Sequence, residues 1–267
     1  MSNPESIAAE KASGCLSVIM PAYNEENSIE KIVRMVLDRP EVGELVIVND
    51  ASTDATWERL QSFADNRRVK LLNQEVNQGK GAALIRGFAA AARPFVIVQD
   101  ADFEYSPDDY PVVLAPLLNG KADVVYGSRF MGTPGRVRYF RHEMGNKFLT
   151  FLSNFFSDIH LSDMETCYKA FRREVIQNLI LKSCRFGIEV ELTAKLARSR
   201  QLRIWEVPIS YAPRRYDEGK KIGWKDGVAA LIHIIHYNVF NSDAKSFRRP
   251  WSEVLSSETD GSSAEEK

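Results

Sequence analysis

Short apolar runs rich in β-branched residues alternate with longer segments of helical character, and this alternation restricts the chain more than any other feature. Leu16–Met20, Glu44–Val48, Val69–Leu72, Phe95–Val98 and Asp123–Tyr126 read as strands. Between them, a helix is expected from about Ser28 to Leu37 with Asn27 as its N-cap, and another after Asp54. The Ala-rich stretch 81–92 and a segment from Pro107 complete the series. Strands of this kind are apolar throughout because helices cover both faces of their sheet. The order β-α-β-α-β therefore predicts an α/β fold whose sheet is mostly parallel, with right-handed crossovers.

After Gly127 the rhythm changes. A loop, Gly132-Thr133-Pro134-Gly135, leads into a basic segment and a helix around 143–157. A strand near Cys167–Phe171, a helix at 188–199, a strand at Leu202–Val207 and an apolar helix at 227–240 follow. At 267 residues the chain suits one large domain or two small ones. We expect a flexible lead-in over 1–14, a single domain over 15–240, and a disordered acidic tail over 241–267.

The charge is nearly balanced, with 35 Lys and Arg against 36 Asp and Glu, which gives no general reason to expect a nucleic-acid partner. Basic residues nevertheless crowd 136–147 and 214–225, as local phosphate sites or as solvated faces. Cys15, Cys167 and Cys184 show neither metal-ligand spacing nor a disulfide framework, which fits a reduced compartment. The N-terminus lacks the apolar core of a signal peptide, and no run approaches the ~20 apolar residues that span a bilayer. The expectation is a cytoplasmic protein, attached to a membrane peripherally if at all.

Each loop after a predicted strand carries polar or special residues. They are Pro21-Ala22-Tyr23-Asn24-Glu25-Glu26, Asn49-Asp50-Ala51-Ser52-Thr53-Asp54, Asn77-Gln78-Gly79-Lys80-Gly81 and Asp100-Ala101-Asp102. In an open parallel sheet the carboxyl edge of the strands is where ligands bind. Two carboxylates spaced i, i+2 can close on one hard cation such as Mg²⁺ or Mn²⁺, which commonly bridges phosphates. A lone Asp-x-Asp is more often a solvated turn, and polar turn residues explain any one such loop. They explain four on one edge poorly.

Together these four loops resemble the family 2 glycosyltransferases of the GT-A fold, a Rossmann-like mixed sheet flanked by helices. From Gly127-Ser128-Arg129-Phe130 onward the chain is similar to the dolichyl-phosphate and polyprenyl-phosphate sugar synthases. Ser162-Asp163-Met164-Glu165-Thr166-Cys167-Tyr168-Lys169 and Arg214-Arg215-Tyr216-Asp217-Glu218-Gly219-Lys220-Lys221 support that likeness, which covers roughly 15–235. It implies a nucleotide-sugar-binding half over 15–126 and an acceptor-binding half over 127–240. The implied reaction moves a hexose from a GDP- or UDP-sugar to a polyprenyl phosphate, with inversion and with Mg²⁺ or Mn²⁺. A soluble acceptor is the alternative, and a non-catalytic nucleotide-sugar-binding protein a further one.

The resemblance also implies roles for residues. Pro21, Ala22, Tyr23, Glu25, Asp50, Lys80, Asp100 and Ala101 would bind the nucleotide-sugar. Tyr23 would offer an aromatic face to the base, and Glu25 and Asp50 would accept hydrogen bonds from base or ribose. Lys80, between two glycines at a helix start, would meet the diphosphate together with backbone N–H groups. Asp102 would ligate the metal, with Glu104 as a further oxygen ligand and Asp100 acting directly or through water. A lipid phosphate is already anionic, so cations must draw it to a second anion. Arg129, Arg214 and Lys220 are the implied phosphate binders, together with Arg141, which like Arg138 is harder to align. The implied catalytic set is Asp102, Arg129 and Arg214.

Two helical stretches, Phe148–Phe156 and Val228–Phe240, carry enough apolar area to lie in a membrane interface, to meet a membrane-protein partner or a second copy, or simply to pack in the core. His233 and His236 read as polar-face residues of the second stretch and not as ligands.

Overall fold

A computed structural model describes residues 12–132, 140–185, 187–213, 224–240, 246–251 and 253–254, the side chains of 224–226 excepted. Arg138, Arg214 and Lys220, the loop 133–135 and most of both termini lie outside the described residues.

The strands form where the apolar runs predict them. β1 (Leu16–Ala22) and β2 (Val42–Asn49) are buried almost throughout, because helices cover the sheet on both faces. β3 (Val69–Asn73), β4 (Phe95–Val98), β5 (Val124–Ser128), β6 (Lys169–Arg172) and β7 (Ile204–Pro208) complete one seven-stranded sheet in the order β3-β2-β1-β4-β6-β5-β7. The helices are α1 (Ile29–Leu37), α2 (Thr56–Gln61), α3 (Lys80–Ala90), α4 (Tyr110–Leu118), α5 (Phe140–Ser157), α6 (Arg173–Asn178), α7 (Ile188–Arg198) and α8 (Trp224–Val239). This is the expected mixed, mostly parallel α/β sheet.

Register brings the loops level. Ala22 stands opposite Asn49, and Asn49 opposite Asn73, so β1, β2 and β3 end together. α3 lies so close on β1 that a Cβ at Gly87 would stand 2.3 Å from the Ile19 Cγ2.

Three features differ from the sequence reading. β6 enters antiparallel between β4 and β5, so that those two parallel strands never pair. α6 was not expected; six residues with two buried aliphatics are too short to show a helical period. Ser28, not Asn27, caps α1, and its backbone N–H goes to the Glu25 carbonyl at 3.1 Å.

The expected disordered tail also needs correction where it is described. Phe247 bridges to Leu179, and Asn178 ties down Arg249 through both its amide and its carbonyl oxygen, at 2.8 and 2.9 Å. Trp251 and Val254 then join the main core. Average composition hides two apolar side chains inside a polar stretch. Trp251→Ala is expected to destabilise the protein by about 3 kcal/mol, the usual scale for emptying a buried aromatic site. Urea unfolding would show this as a lowered midpoint; an unchanged midpoint would mean that the docked segment contributes nothing.

Candidate functional site

The four βα loops at the carboxyl edge hold one another in place. Asn24, with a φ of 52°, accepts the Thr53 N–H at 2.8 Å, and its own N–H donates to the Ser52 hydroxyl at 3.1 Å. The Glu25 N–H donates to Thr56, and the Ser28 hydroxyl reaches the Ala101 carbonyl at 2.8 Å, tying the first loop to the second and fourth. The Ser28 hydroxyl also donates to Glu25 Oε2 at 2.9 Å. Pro21 and Ala22 end β1 beneath these loops. Tyr23 stands above them, 38% exposed, as a side chain offered to a ligand would.

Asp50 is placed differently from expectation. It is buried, and it accepts from the Gln74 amide at 2.5 Å and from the backbone N–H groups of Gln78 and Gly79 at 2.8 and 2.7 Å. Most of its acceptor capacity thus goes to fixing the third loop, leaving little for a base or ribose.

The start of α3 is also less open than the glycines suggest. Gly79 has a φ of 96°. The Ala82 N–H donates to the Cys184 carbonyl at 3.0 Å, and a Cβ on Gly81 would stand 2.0 Å from the Ser183 carbonyl oxygen. The glycines therefore let segment 183–185 lie against the helix end, where a diphosphate cradle was expected. The Lys80 ammonium stands at this helix start, paired with Asp100.

Lys80 begins a chain of buried charges. It lies 2.7 Å from Asp100 and 3.5 Å from Glu189, and Glu189 in turn lies 2.5 Å from Lys169. Burial works against the charge on Asp100, but Lys80 outweighs it and holds that carboxyl below its ordinary range. Asp100 and Glu189 likewise keep Lys80 firmly protonated against its own burial.

Asp102 and Glu104 sit on the same loop, both partly exposed. The Glu104 N–H donates to Asp102 at 3.0 Å, and the Tyr211 hydroxyl donates to Glu104 Oε2 at 3.0 Å. Their hard oxygens suit Mg²⁺ or Mn²⁺. Among the described residues no group of three His, Cys, Asp or Glu side chains could by itself hold a metal. A cation held by Asp102 and Glu104 would therefore draw further ligands from phosphate and water.

On the acceptor side, Arg129 is buried and forks onto Asp163, with Nε and Nη2 each 2.7 Å from a carboxylate oxygen. The guanidinium carbon lies 5.2 Å from the Tyr211 ring centroid and 5.7 Å from that of Phe130. Glu206 fixes the loop beneath, accepting the N–H groups of Ser162 and Asp163 at 2.9 and 3.0 Å. Arg141 is exposed on the first turn of α5, the position of an ordinary surface charge.

Sequence reasoning did not single out Asp163, Glu165, Lys169, Glu189 or Tyr211. The first three stand inside a segment already noted for its likeness, which was the available signal. Glu189 shares its helix with Glu191 and Lys195, which are buried as well, so no local signal set it apart. Glu165 is pushed up to about 7 by burial and by Glu189, with Lys169 and Arg129 opposing.

The family model for Glycosyl transferase family 2 matches residues 17–180. The chain belongs to that family. Among its relatives, the dolichol-phosphate mannosyltransferase of Pyrococcus furiosus is 29% identical over 215 residues, which cover 78% of this chain and 59% of the relative. The undecaprenyl-phosphate mannosyltransferase of Micrococcus luteus is 28% identical over 225 residues, covering 80% and 90%. The chain thus spans little more than half of the first relative and most of the second. The glucosyl-3-phosphoglycerate synthase of Mycobacterium tuberculosis, solved with Mn²⁺ and UDP-glucose, shares the fold at a TM-score of 0.68 and 21% identity, covering 89% of this chain and 84% of that one.

Two outcomes follow from these charges. Asp163→Ala would strand a buried guanidinium and is expected to cost about 3–5 kcal/mol in urea unfolding; a loss below about 1 kcal/mol would mean that water replaces the pair. Glu165 titrates higher in the folded chain than in the unfolded one, so its contribution to stability is present at acid pH and is lost as pH rises through about 7. Glu165→Gln should therefore raise the thermal midpoint by a few degrees at about pH 8 and by less at about pH 5. An equal shift at both pH values would exclude that titration.

Proposed function

We propose that this family 2 glycosyltransferase moves a hexose from a nucleotide-sugar to a polyprenyl phosphate at the cytoplasmic face of a membrane, with inversion and with Mg²⁺ or Mn²⁺. The observation that carries the lipid acceptor is an apolar surface on two packed helices. On α5, Phe140, Met144, Phe148, Phe151 and Phe155 follow helical spacing and are between 49% and 77% exposed. On α8, Val228, Ile232, Ile235 and Val239 repeat the pattern between 46% and 63%. The opposite sides of these helices pack with α7 around Leu149, Met164, Val190 and Ile234, so the outward residues are surplus to the core. Exposed apolar stripes of this kind mark an interaction surface, and aromatic-rich helices suit a bilayer interface. No helix among the described residues is long and apolar enough to cross a membrane. The names of the P. furiosus and M. luteus relatives point to lipid phosphates as well.

In this reading Tyr23 and Glu25 receive the base and ribose above the loop that Asp50 holds, with Pro21, Ala22 and Ala101 as the floor. Lys80 and Asp100 face the diphosphate and sugar. Asp102 and Glu104 would hold the cation, which when bound stabilises charge on the departing diphosphate. Arg129, with Arg214 and Lys220 from the segment outside the described residues, draws in the acceptor phosphate; Arg141 supplies long-range attraction. A phosphate oxygen then attacks the anomeric carbon opposite the leaving nucleoside diphosphate. No general base is required, because that oxygen carries no proton to remove.

A second reading keeps the donor site and takes a soluble phosphorylated acceptor. It is favoured by the fold neighbour from M. tuberculosis, which has been solved with UDP, Mn²⁺ and phosphoglyceric acid.

The test is nucleoside diphosphate release from a panel of GDP- and UDP-sugars, with and without a short polyprenyl phosphate and divalent metal. Release should require both lipid and metal and should vanish in Asp102→Ala. Phe148→Ser combined with Phe151→Ser should abolish flotation with anionic vesicles and lower kcat/KM for the lipid about tenfold. Release stimulated by a soluble phosphate but not by lipid would sink the lipid reading.

A further inference from the structure

The loop that carries Asp102 and Glu104 is fastened at its root by one buried side chain. Gln99 directly follows β4 and is fully buried, where an unpaired amide would be costly. Every position on that amide is used. Nε2 donates to the Asp100 carbonyl at 3.1 Å and to the Tyr105 carbonyl at 3.4 Å. Oε1 accepts from the Tyr110 hydroxyl at 2.8 Å and from the Tyr168 hydroxyl at 2.6 Å. Carbonyl oxygens can only accept, so the nitrogen must face the loop and both hydroxyls must donate. The amide has one orientation here.

The two carbonyls mark the ends of loop 100–105, and both reach the same nitrogen. The partners on the oxygen side belong to regular structure: Tyr110 begins α4, and Tyr168 immediately precedes β6. The Tyr168 ring also stacks on Tyr105, with centroids 5.0 Å apart, and the Tyr105 hydroxyl accepts the Cys167 N–H at 3.1 Å. Gln99 therefore passes the position of α4 and of the approach to β6 on to both ends of the loop. An apolar side chain is the ordinary residue on a strand buried on both faces. At this position it would take a partner from four polar groups and leave the span of the loop to its own torsions. Core packing by itself does not call for a glutamine; a loop whose ends must keep a fixed span does.

We propose that Gln99 is a positioning residue for the cation: by fastening both ends of loop 100–105 it sets the spacing of Asp102 and Glu104 before metal and nucleotide arrive. The inference rests on the reading above that these two carboxylates hold the cation. Ligands fixed beforehand lose less freedom on binding, and the partners that orient metal ligands typically carry about 10–100-fold in affinity.

The experiment measures Mn²⁺ binding to the full chain from the electron paramagnetic resonance signal of the free ion, with UDP and, separately, GDP present. A thermal transition is recorded for every variant. Gln99→Met keeps the length of the side chain and loses both halves of the amide. Gln99→Glu keeps an acceptor for the tyrosines and has at most one proton to give the loop, so it carries the test if the methionine variant fails to fold. Its added carboxyl would by charge alone favour a cation, so that weaker binding in it reports the loop. Both variants should bind Mn²⁺ about tenfold more weakly. Tyr110→Phe removes a hydrogen bond from the tyrosine side only; it should lower the thermal midpoint and leave the Mn²⁺ affinity within about twofold. Gln99 variants that bind Mn²⁺ within about twofold of the wild type, or an equal loss in Tyr110→Phe, would overturn the proposal alone. A wild-type chain that binds no Mn²⁺, or an Asp102→Ala chain that binds it as tightly, would overturn the cation reading and this proposal with it.

Discussion

The antiparallel entry of β6 between β4 and β5 is the constraint on which the site depends. In a wholly parallel sheet the residues leading into a strand lie at the amino edge, away from the ligand. Because β6 runs the other way, with Ile97 opposite Ala170 and Tyr126 opposite Lys169, its approach lies at the carboxyl edge of β4. Segment 163–168 is thereby delivered beside Asp100. Lys169 and Asp163 reach the two sides of the site from the ends of one short segment.

The ion pairs at that edge form two sets. The donor-side row runs Asp100, Lys80, Glu189, Lys169, and the acceptor-side pair joins Arg129 to Asp163. Balanced in this way, buried cations and anions hold each other in position before a ligand arrives, which limits reorganisation on binding. Tyr211 connects the halves: its ring lies against Arg129 while its hydroxyl donates to Glu104. The loop bearing the expected metal ligands and the arginine expected at the acceptor are thus held at a fixed spacing by one side chain.

The second half of the chain departs from the tidy βα pattern in the region where the acceptor is expected. α5, α7 and α8 build a small core of their own around Met164, one residue from Asp163. Burying one face of α5 and α8 there leaves their apolar stripes outward, so the packing that supports the acceptor loop also presents the surface suited to a lipid.

The sequence by itself determined the strands, the order of helices and the identity of the four edge loops. These are local properties: β-branched runs, helical periodicity and turn residues act over a few neighbours. It also marked Asp102 and Lys80 by their places in the loops after predicted strands, and Glu104 and Arg129 through the resemblance to the family. Only the tertiary structure decided which of them pair. Asp50 spends its carboxylate on Gln74, Gln78 and Gly79, and the start of α3 is covered by segment 183–185, from about a hundred residues away in the chain. Trp251 docks on the core although the composition around it reads as a loose tail. Pairing between distant residues depends on strand order and direction. A reversed strand such as β6 leaves almost no trace in local sequence, since its few residues are buried alike in either direction.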